Sequence, residues 1–370
     1  MPIVLPRDAK ILLSAYTGLG NFVLKTPLIQ AWKTVYPHHQ IDLIAGNGFG
    51  AEFVLQGSPL IGKTHILPAS ASIGQKIRFF YRLRQERYHL LLLPFDAQPN
   101  FLVYGSYLAG IPLRIRHLHP AVLRNRVKCA AQMPAAPKTM FVPVPPNRHE
   151  TELNIDLLRF VYAQPNVPVF PTITHFTPDA HVMNRFELYG KPYLLLQPGA
   201  ANGVYMAKIW HHSHFARLIQ ELITQFGNQY QIVLAGDKGD YDACITPLLN
   251  SLPDVLKPYI TNTAGLTLLP ELMTLISHAR LVVCHDSGIM HLADAMQIPL
   301  IALYGPTDDT RTRPLKPSSE VLFSQSPHRA AMYYFAQTEA DLAHQGIGQQ
   351  AMDGILVQTV FEAIAGKLIG

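Results

Sequence analysis

Residues 10–45, KILLSAYTGLGNFVLKTPLIQAWKTVYPHHQIDLIA, decide the fold. The stretch opens with a short apolar run at 11–15, passes through a glycine turn at 17–20, and then carries apolar residues at helical spacing over 22–36. Pro37 ends that helix, and a second apolar run follows at 41–45. A strand, a helix and a strand in this order predict a parallel β-α-β unit with a right-handed crossover.

The same alternation recurs on both sides of a proline-bearing stretch at 165–178, which resembles a linker. The chain has 370 residues and is 48% hydrophobic, which suits two domains of ordinary size. We therefore predict an α/β protein with two Rossmann-like domains facing across a cleft, at 1–175 and 176–350. Residues 351–370 are expected to form a C-terminal helix that packs back on the N-terminal domain.

The composition argues against several kinds of protein. Cys129, Cys244 and Cys284 are far apart, so buried free thiols are favoured over disulfides or a cysteine zinc site. His211, His212 and His214 have no carboxylate or cysteine at ligand spacing, and we expect a surface cluster and no metal. The sequence shows neither a secretory signal nor an apolar run of about 18 residues. We expect a cytoplasmic protein.

Positive charge is concentrated in the N-terminal half. The net charge is +5, and residues 76–128 hold ten basic residues against Glu86 and Asp96. An anionic partner there is one interpretation, whether nucleic acid, anionic lipid or a phosphorylated glycan, and an ordinary solvated face is another. The window contains aromatic residues but no nucleic-acid-binding motif, so we expect no nucleic-acid partner.

Ligands of open parallel sheets bind beyond the carboxyl ends of the strands, and residues 285–291, His-Asp-Ser-Gly-Ile-Met-His, follow one such strand. The N–H groups at the start of the next helix suit a diphosphate. Asp286 can accept hydrogen bonds from sugar hydroxyls, and His291 can donate one to a phosphate. An ordinary helix N-cap at Asp286-Ser287-Gly288 is the alternative.

Three other strand ends carry candidate residues. Lys208 follows the loop at Gly199 and suits a negative leaving group, although a lone lysine is more often a solvated charge. Gly236 precedes three aspartates, Asp237, Asp240 and Asp242, any of which suits ribose hydroxyls or a solvated turn. The first strand ends at Gly18-Leu19-Gly20-Asn21, which lacks the third glycine of a dinucleotide fingerprint and also fits a tight turn.

Together these segments resemble glycosyltransferase family 9, the ADP-heptose:lipopolysaccharide heptosyltransferases. The resemblance covers most of the chain, residues 10–315, and Asp-Ser-Gly-x-Met-His followed by Gly-Pro-Thr is its most specific part. The matching segments, in order, are Ile11 to Gly20, Val23-Leu24, Thr26-Pro27, Pro37, Ile41-Asp42-Leu43, Leu93 to Gln98, His149, Asp156-Leu157-Leu158, Pro198-Gly199-Ala200, Lys208 with Trp210, Thr263-Gly265-Thr267, Glu271-Leu272, Asp286-Ser287-Gly288, Met290-His291 and Leu303 to Thr307.

The resemblance implies a GT-B fold and inverting transfer without a metal or other cofactor. The donor would be a nucleotide-diphosphate sugar, ADP-linked in the family, held by the C-terminal domain. Its diphosphate would meet Lys208, Ser287, Gly288 and His291, and Asp286 would hold the sugar. The acceptor would be a lipid-linked anionic glycan such as the lipopolysaccharide core, bound by the N-terminal domain at the inner face of the inner membrane.

One position departs from the family. An aspartate that serves as general base follows the second glycine in characterised members, whereas this chain has Asn21, whose amide cannot take a proton as a carboxylate does. Either Asp96, at a neighbouring strand end, is the base, or Asn21 only orients the acceptor, or the chain is a catalytically silent relative that binds nucleotide sugar or glycan.

Overall fold

The computed structural model describes residues 3–48, 50–118, 138–145, 147–200, 206–331 and 345–369. Within the chain, Met1–Phe176 and Thr177–Gly370 form two compact units. Part of the basic window and one cysteine lie outside the described residues: Arg124, Arg126, Lys128 and Cys129.

The first unit is built on one parallel sheet. Its strands are β1 (Lys10–Ser14), β2 (Gln40–Ala45), β3 (Thr64–Ile66), β4 (Leu90–Leu93), β5 (Leu113–Leu118) and β6 (Thr139–Pro143). Its helices are α1 (Leu19–Val23), α2 (Thr26–Val35), α3 (Ala51–Val54), α4 (Ile73–Leu83), α5 (Asn100–Leu108) and α6 (Glu150–Tyr162).

The second unit repeats this plan. Its strands are β7 (Tyr193–Leu196), β8 (Gln231–Leu234), β9 (Ile260–Asn262), β10 (Leu281–His285), β11 (Leu300–Tyr304) and β12 (Ser319–Phe323). Its helices are α7 (Ala180–Arg185), α8 (His212–Phe226), α9 (Lys238–Asp240), α10 (Thr246–Ser251), α11 (Leu269–His278), α12 (Gly288–Ala295), α13 (Asp309–Thr312), α14 (Ile347–Asp353) and α15 (Val357–Ile369).

Both sheets have the same strand order. The first is β3-β2-β1-β4-β5-β6, and the second, read from its other edge, is β9-β8-β7-β10-β11-β12. This is the 3-2-1-4-5-6 order of a Rossmann fold, whose direction of winding reverses between β1 and β4 and between β7 and β10. Ligands of such sheets bind at the carboxyl ends of the two strands that flank the reversal.

The central strands are apolar because helices cover both faces of each sheet. All four leucines of β4 are buried, and so is every residue of β10 and β11. The register aligns Ile11 with Ile41 and with Leu90, so the apolar runs that were visible in the sequence form the middle of the sheet.

The helix expected over 22–36 is two helices, because Pro27 lacks the N–H that would bond to the carbonyl of Val23 four residues earlier. The Thr26 hydroxyl donates to that carbonyl instead, at 2.7 Å. Lys25 is the N-cap residue of α2 and lies in the break between the helices.

The C-terminal helix contributes to the core of the second unit. Helix α15 packs against α8 and β11 of its own unit, where Val360 and Ile364 join the apolar core. The indole N–H of Trp210 also donates to the carbonyl of Ile355, just before α15, at 3.0 Å. The helix stays on this unit because its apolar face completes the core there.

Candidate active site

A cluster of polar side chains lies where β7 and β10 end, at the winding reversal of the second sheet. Lys208 closes a short 3-10 turn, and its Nζ lies 3.4 Å from Oδ2 of Asp286, which follows β10. The Tyr304 hydroxyl, at the end of β11, donates to Oδ1 of Asp286 at 3.4 Å. The structure thus brings Lys208 and Asp286, 78 residues apart in sequence, into one site.

The environment keeps Asp286 ionised. Burial raises the pKa of its carboxyl, but the charges of Lys208 and His291 and hydrogen bonds from Lys208 and Thr312 outweigh burial and hold this pKa below its usual range. An ionised carboxylate only accepts hydrogen bonds, which suits the hydroxyls of a sugar.

Helix α12 begins beside this pair without a side-chain cap. Ser287 is its N-cap residue, yet the Ser287 hydroxyl donates to Oε1 of Gln197 at 2.6 Å and does not bond to the N–H groups of the helix. Ser287 therefore occupies the N-cap position, as the alternative interpretation of Asp-Ser-Gly predicts, but its side chain supplies no capping hydrogen bond. The N–H groups of the first turn, which opens at Gly288, remain available to an anion.

His285 ties the loops of this site together. Its Nε2 accepts from the backbone N–H of Trp210 at 3.0 Å, which leaves Nδ1 as the donor to the carbonyl of Gly199 at 3.1 Å. Burial lowers the pKa of His285 to about 4, although the bond to Gly199 acts in the opposite direction. The ring is therefore neutral and positions the segment that carries Lys208.

Asp240 fills the space between two of the predicted glycines. An added Cβ would lie 2.2 Å from the Asp240 carboxyl at Gly199 and 2.8 Å from its Cβ at Gly236, so both positions need glycine. The carboxylate of Asp240 is buried and accepts from the N–H of Asp237, whose own side chain caps α9. Asp242 is exposed and faces Lys238.

Two of the three histidines after Trp210 pack or form hydrogen bonds at the start of α8. His211 is the N-cap residue of α8 and accepts from the N–H of Ser213 at 3.3 Å, and the ring of His214 lies 5.1 Å from that of Trp210. Within the described part of the chain, no group of three or more histidine, cysteine, aspartate or glutamate side chains is arranged to hold a metal ion.

A second cluster lies where β1 and β4 end, at the winding reversal of the first sheet. Oδ2 of Asp96 accepts from Nζ of Lys25 at 2.5 Å and from the hydroxyl of Thr17 at 2.6 Å. The same Nζ donates to the backbone carbonyl of Asn21 at 3.0 Å. Lys25 is fully buried and Asp96 is 6% exposed, so this is an ion pair inside the protein.

Asp96 combines a paired oxygen with an unpaired one. Burial raises the pKa of its carboxyl, but the charge of Lys25 and the hydrogen bonds from Lys25 and Thr17 outweigh burial and hold this pKa below its usual range. Oδ1 is buried and has no hydrogen-bond partner among the described residues. A buried acceptor without a donor is costly.

The glycine turn at 18–20 lies near the Lys25–Asp96 pair, and it has free space beside Gly18. Gly18 is the N-cap residue of α1, and a Cβ added there would meet nothing within 4 Å, whereas Gly20 is buried inside the helix. Asn21 is half-buried, and Lys25 bonds only to its backbone carbonyl. The structure thus gathers Gly18, Asn21 and Asp96 at one edge of the first sheet.

The family model for glycosyltransferase family 9 (heptosyltransferase) matches residues 131–338, more than half of the chain. The chain belongs to this family. It is therefore a glycosyltransferase, and the cluster at β7 and β10 lies within the matched region.

Relatives of this family 9 chain align along most of their length. Lipooligosaccharide heptosyltransferase 2 of Haemophilus influenzae is 28% identical over 334 residues, covering 84% of this chain and 88% of the relative. Lipopolysaccharide heptosyltransferase 2 of Escherichia coli is 26% identical over 369 residues, covering 97% and 99%.

Solved structures share the fold of this family 9 glycosyltransferase. E. coli ADP-heptose lipopolysaccharide heptosyltransferase II superposes with a TM-score of 0.75 at 22% identity, covering 98% of each chain. A family 9 glycosyltransferase from Veillonella parvula gives 0.76 at 16% identity, covering 100% of this chain and 99% of that one. Two parallel six-stranded sheets and these neighbours establish a GT-B fold.

The basic window of this glycosyltransferase is not one surface. Arg114 and Arg116 are only 2% and 3% exposed. The Arg114 guanidinium lies 4.0 Å from the ring centre of Tyr107, and Arg116 donates to Oε1 of Gln98 at 2.6 Å. The sequence predicts these two arginines as part of one basic face, and this is wrong, because the middle of β5 lies inside the sheet and buries both side chains.

None of the described helices has the length and apolar character that crossing a membrane requires. Cys244 and Cys284 are free and buried, as expected. Burial raises the pKa of the Cys284 thiol well above its usual range.

Sequence reasoning missed the residues that hold the two clusters together. Lys25 was read as part of a continuous helix, although a lysine just before Thr26-Pro27 in an otherwise apolar stretch marks the break. Gln197 lies just before the Gly199 loop and His285 opens the segment 285–291, but their partners are 90 and 86 residues away in sequence, and no local pattern reveals such contacts.

Proposed function

We propose that this glycosyltransferase is an inverting heptosyltransferase, which moves a heptose or related sugar from a nucleotide-diphosphate donor to a lipopolysaccharide core or similar anionic glycan. Relatives named lipopolysaccharide or lipooligosaccharide heptosyltransferase 2 align over most of the chain. An E. coli heptosyltransferase that was solved with ADP and with an ADP-2-deoxy-2-fluoro heptose has the same fold, with TM-scores of 0.63 and 0.64.

The observation that carries the donor assignment is the Lys208–Asp286 pair beside the uncapped start of α12. In this assignment the diphosphate lies against Lys208, Ser287, Gly288 and His291, and Asp286 accepts from the sugar. The loops that contain Gly199, Gly236 and Asp240 bind the nucleoside part of the donor. Lys208 and the helix N–H groups supply the positive charge that bound metal ions supply at other phosphate sites.

The reaction moves one proton and breaks one bond. The acceptor hydroxyl attacks the anomeric carbon from the face opposite the diphosphate, and its proton passes to Asp96 as the new C–O bond forms. The bond from the anomeric carbon to the phosphate oxygen breaks, and the nucleoside diphosphate leaves with that electron pair. Lys208 stabilises the charge that develops on the leaving group.

Asp96 is assigned as the base because its Oδ1 has no hydrogen-bond partner among the described residues. The lowered pKa keeps the carboxylate ionised but also makes it a weak base, so the proton is taken up as the new C–O bond forms. Asn21, on the turn above it, orients the acceptor. Lys25 and Thr17 fix the other oxygen of Asp96, so Oδ1 has one defined direction.

A second candidate function is a GT-B protein that binds nucleotide sugar or glycan without turnover. Asn21 and the ion pair between Lys25 and Asp96 favour it, since neither side chain is then a free carboxylate base. The two candidates share the donor site and differ only in the chemistry at the first sheet.

The acceptor assignment places the protein at a membrane surface. A lipid-linked glycan is anchored in a bilayer, so the proposed location is cytoplasmic, with peripheral contact at the inner face of the inner membrane. The proposed partners are the nucleotide sugar and the anionic lipid-linked glycan, and no nucleic acid.

A release assay tests both candidates. Purified protein is given ADP-heptose, with other nucleotide sugars as controls, plus inner-core acceptors, and free nucleoside diphosphate is followed. Release that depends on the acceptor supports the transferase and names its donor. Donor binding without release from any nucleotide sugar supports the second candidate.

A further inference from the structure

Helices α4 and α5 form a two-helix surface on the first unit. The two helices run side by side in the same direction. Near the start of each helix, the Nζ of Lys76 lies 4.8 Å from the ring centre of Phe101. Just beyond the ends of the helices, Gly110 lies close to the side chain of Arg84. Between these points Gly105 packs directly on the ring of Phe80, with no room for a Cβ. The outer faces of the two helices are therefore neighbours.

This surface exposes large apolar and aromatic side chains. On α4, Ile73, Ile77 and Tyr81 follow one another at intervals of four residues, so they form one stripe, and they are 79%, 50% and 67% exposed. On α5, Tyr104 is 52% and Leu108 45% exposed. A group of exposed apolar side chains on adjacent helices indicates a binding surface.

Unpaired positive charge accompanies the apolar stripe. Arg78, Arg82, Arg84 and Arg87 are exposed, and none of them has a side-chain hydrogen bond or ion pair with the described residues. Neither α4 nor α5 contains an acidic residue. Glu86, which follows α4 in the chain, is held by Lys10 and Lys63 at 3.2 and 2.7 Å.

We propose that the surface formed by α4 and α5 docks this protein on an anionic lipid bilayer. Apolar side chains enter the headgroup region of such a surface while arginines contact lipid phosphates, and tyrosine favours the boundary between the two. This deepens the proposed function, because the acceptor there is lipid-linked, but it rests on the geometry of α4 and α5 and not on the catalytic residues.

A protein partner explains the surface less well than a bilayer. A partner that buried four arginines would need to supply matching carboxylates, because none of the four has one among the described residues. A second copy of the chain would oppose two basic faces, which repel each other.

Vesicle sedimentation tests the inference with the full chain, in the absence of donor and acceptor. The wild type is expected to sediment with vesicles of phosphatidylglycerol and phosphatidylethanolamine and to stay in solution with phosphatidylcholine alone. Ile73→Glu with Ile77→Glu is expected to lower the partition coefficient roughly tenfold or more. Arg78→Gln with Arg82→Gln is expected to lower it about fivefold for each arginine.

Val255→Glu with Leu268→Glu is the matched control, since these exposed residues, each 73% exposed, lie on the second unit. The control variant should bind as the wild type does. Equal binding of the Ile73/Ile77 variant and the control overturns the proposal, and so does a failure of the wild type to bind anionic vesicles. Light scattering that shows a wild-type dimer and a monomeric Ile73/Ile77 variant overturns it in favour of self-association.

The test separates this inference from the proposed function. With a lipid-free core oligosaccharide as acceptor, the Ile73/Ile77 variant is expected to keep wild-type turnover. If the wild type binds vesicles but transfers no sugar to any acceptor, the docking surface is supported while the proposed function fails.

Discussion

Among single residues, Asp96 has the most direct bearing on the proposed catalysis, because it is the carboxylate at the end of β4 whose Oδ1 has no hydrogen-bond partner in the described part of the chain. We expect Asp96→Asn to lower turnover on the order of a hundredfold or more, since an amide cannot take the acceptor proton, with donor affinity unchanged. The measurements are steady-state turnover and donor titration.

Glu86→Gln is the control for Asp96→Asn, because Glu86 is also an ion-paired carboxylate of the first unit, and it should retain turnover. Asp96→Asn also leaves Lys25 as a buried charge without its partner, which costs about 3–5 kcal/mol of stability. The double variant Lys25→Met with Asp96→Asn removes both charges and should recover stability without recovering turnover. Wild-type turnover in Asp96→Asn or in the double variant would contradict the base assignment.

Lys208 is expected to act on donor binding. Lys208→Ala should weaken affinity for the nucleoside diphosphate roughly tenfold or more, because a charge-assisted contact to phosphate is lost. Lys238→Ala, at a lysine that is 79% exposed, is the control. Calorimetric titration of both variants gives the comparison, and equal affinities would remove Lys208 from the phosphate site.

His285 makes stability depend on pH. Its pKa is about 4 in the fold against 6.5 as a free side chain, so the unfolded chain binds a proton that the folded chain excludes. The free energy of unfolding should therefore fall as the pH drops from 6.5 toward 4, by about 3 kcal/mol from this residue. His285→Gln, which keeps a donor and an acceptor, should flatten that dependence in urea titrations; an unchanged slope would contradict a neutral buried ring.

The residues of the two clusters were predictable to different degrees. Asp286, Ser287 and His291 lie in one short motif, so the sequence shows them together. The partnership of Lys25 with Asp96 was not visible, because it joins residues 71 positions apart and arises only when β1 and β4 become neighbours. A carboxylate at a strand end suggests chemistry, but its charge partner depends on sheet order.

Among the helices and strands, the close approach of α4 and α5 depends on Gly105. A Cβ there would lie 2.2 Å from the Phe80 ring, so Gly105→Ala should destabilise the protein by about 1–3 kcal/mol through overpacking. Gly74→Ala is the matched control, since Gly74 lies in α4 with nothing within 4 Å, and alanine there should stabilise by about 0.5–1 kcal/mol. Chemical denaturation measures both, and equal effects would contradict the packing.

The elements themselves were largely predictable, and their interruptions were less so. The apolar runs at β1, β2 and β4 are visible because strands buried on both faces need apolar residues throughout. The break at Lys25 was missed because apolar spacing continues across it, although Pro27 removes the bond that would continue the helix. The packing of α15 on α8 and β11 was not predictable, since an amphipathic face does not specify which elements it covers.

For the whole molecule, two compact units with separate sheets predict that the donor protects one of them. In hydrogen exchange with the full chain, ADP should slow exchange in β7, β10 and the start of α12, because a ligand stabilises the state that binds it. Strands β1 and β4 should exchange as before. Protection of equal size in both sheets would contradict the donor assignment to the second unit.

The reactivity of the Cys284 thiol can report how often the sheet of the second unit opens. Its thiol is fully buried in β10, one residue before His285, and its high pKa makes it unreactive while the strand stays covered. An alkylating reagent therefore modifies Cys284 only when the sheet of the second unit opens, and the rate of labelling reports how frequently it opens. Peptide mass spectrometry that follows this one thiol would report, in minutes and without a denaturant, how tightly each candidate nucleotide closes the sheet that binds it.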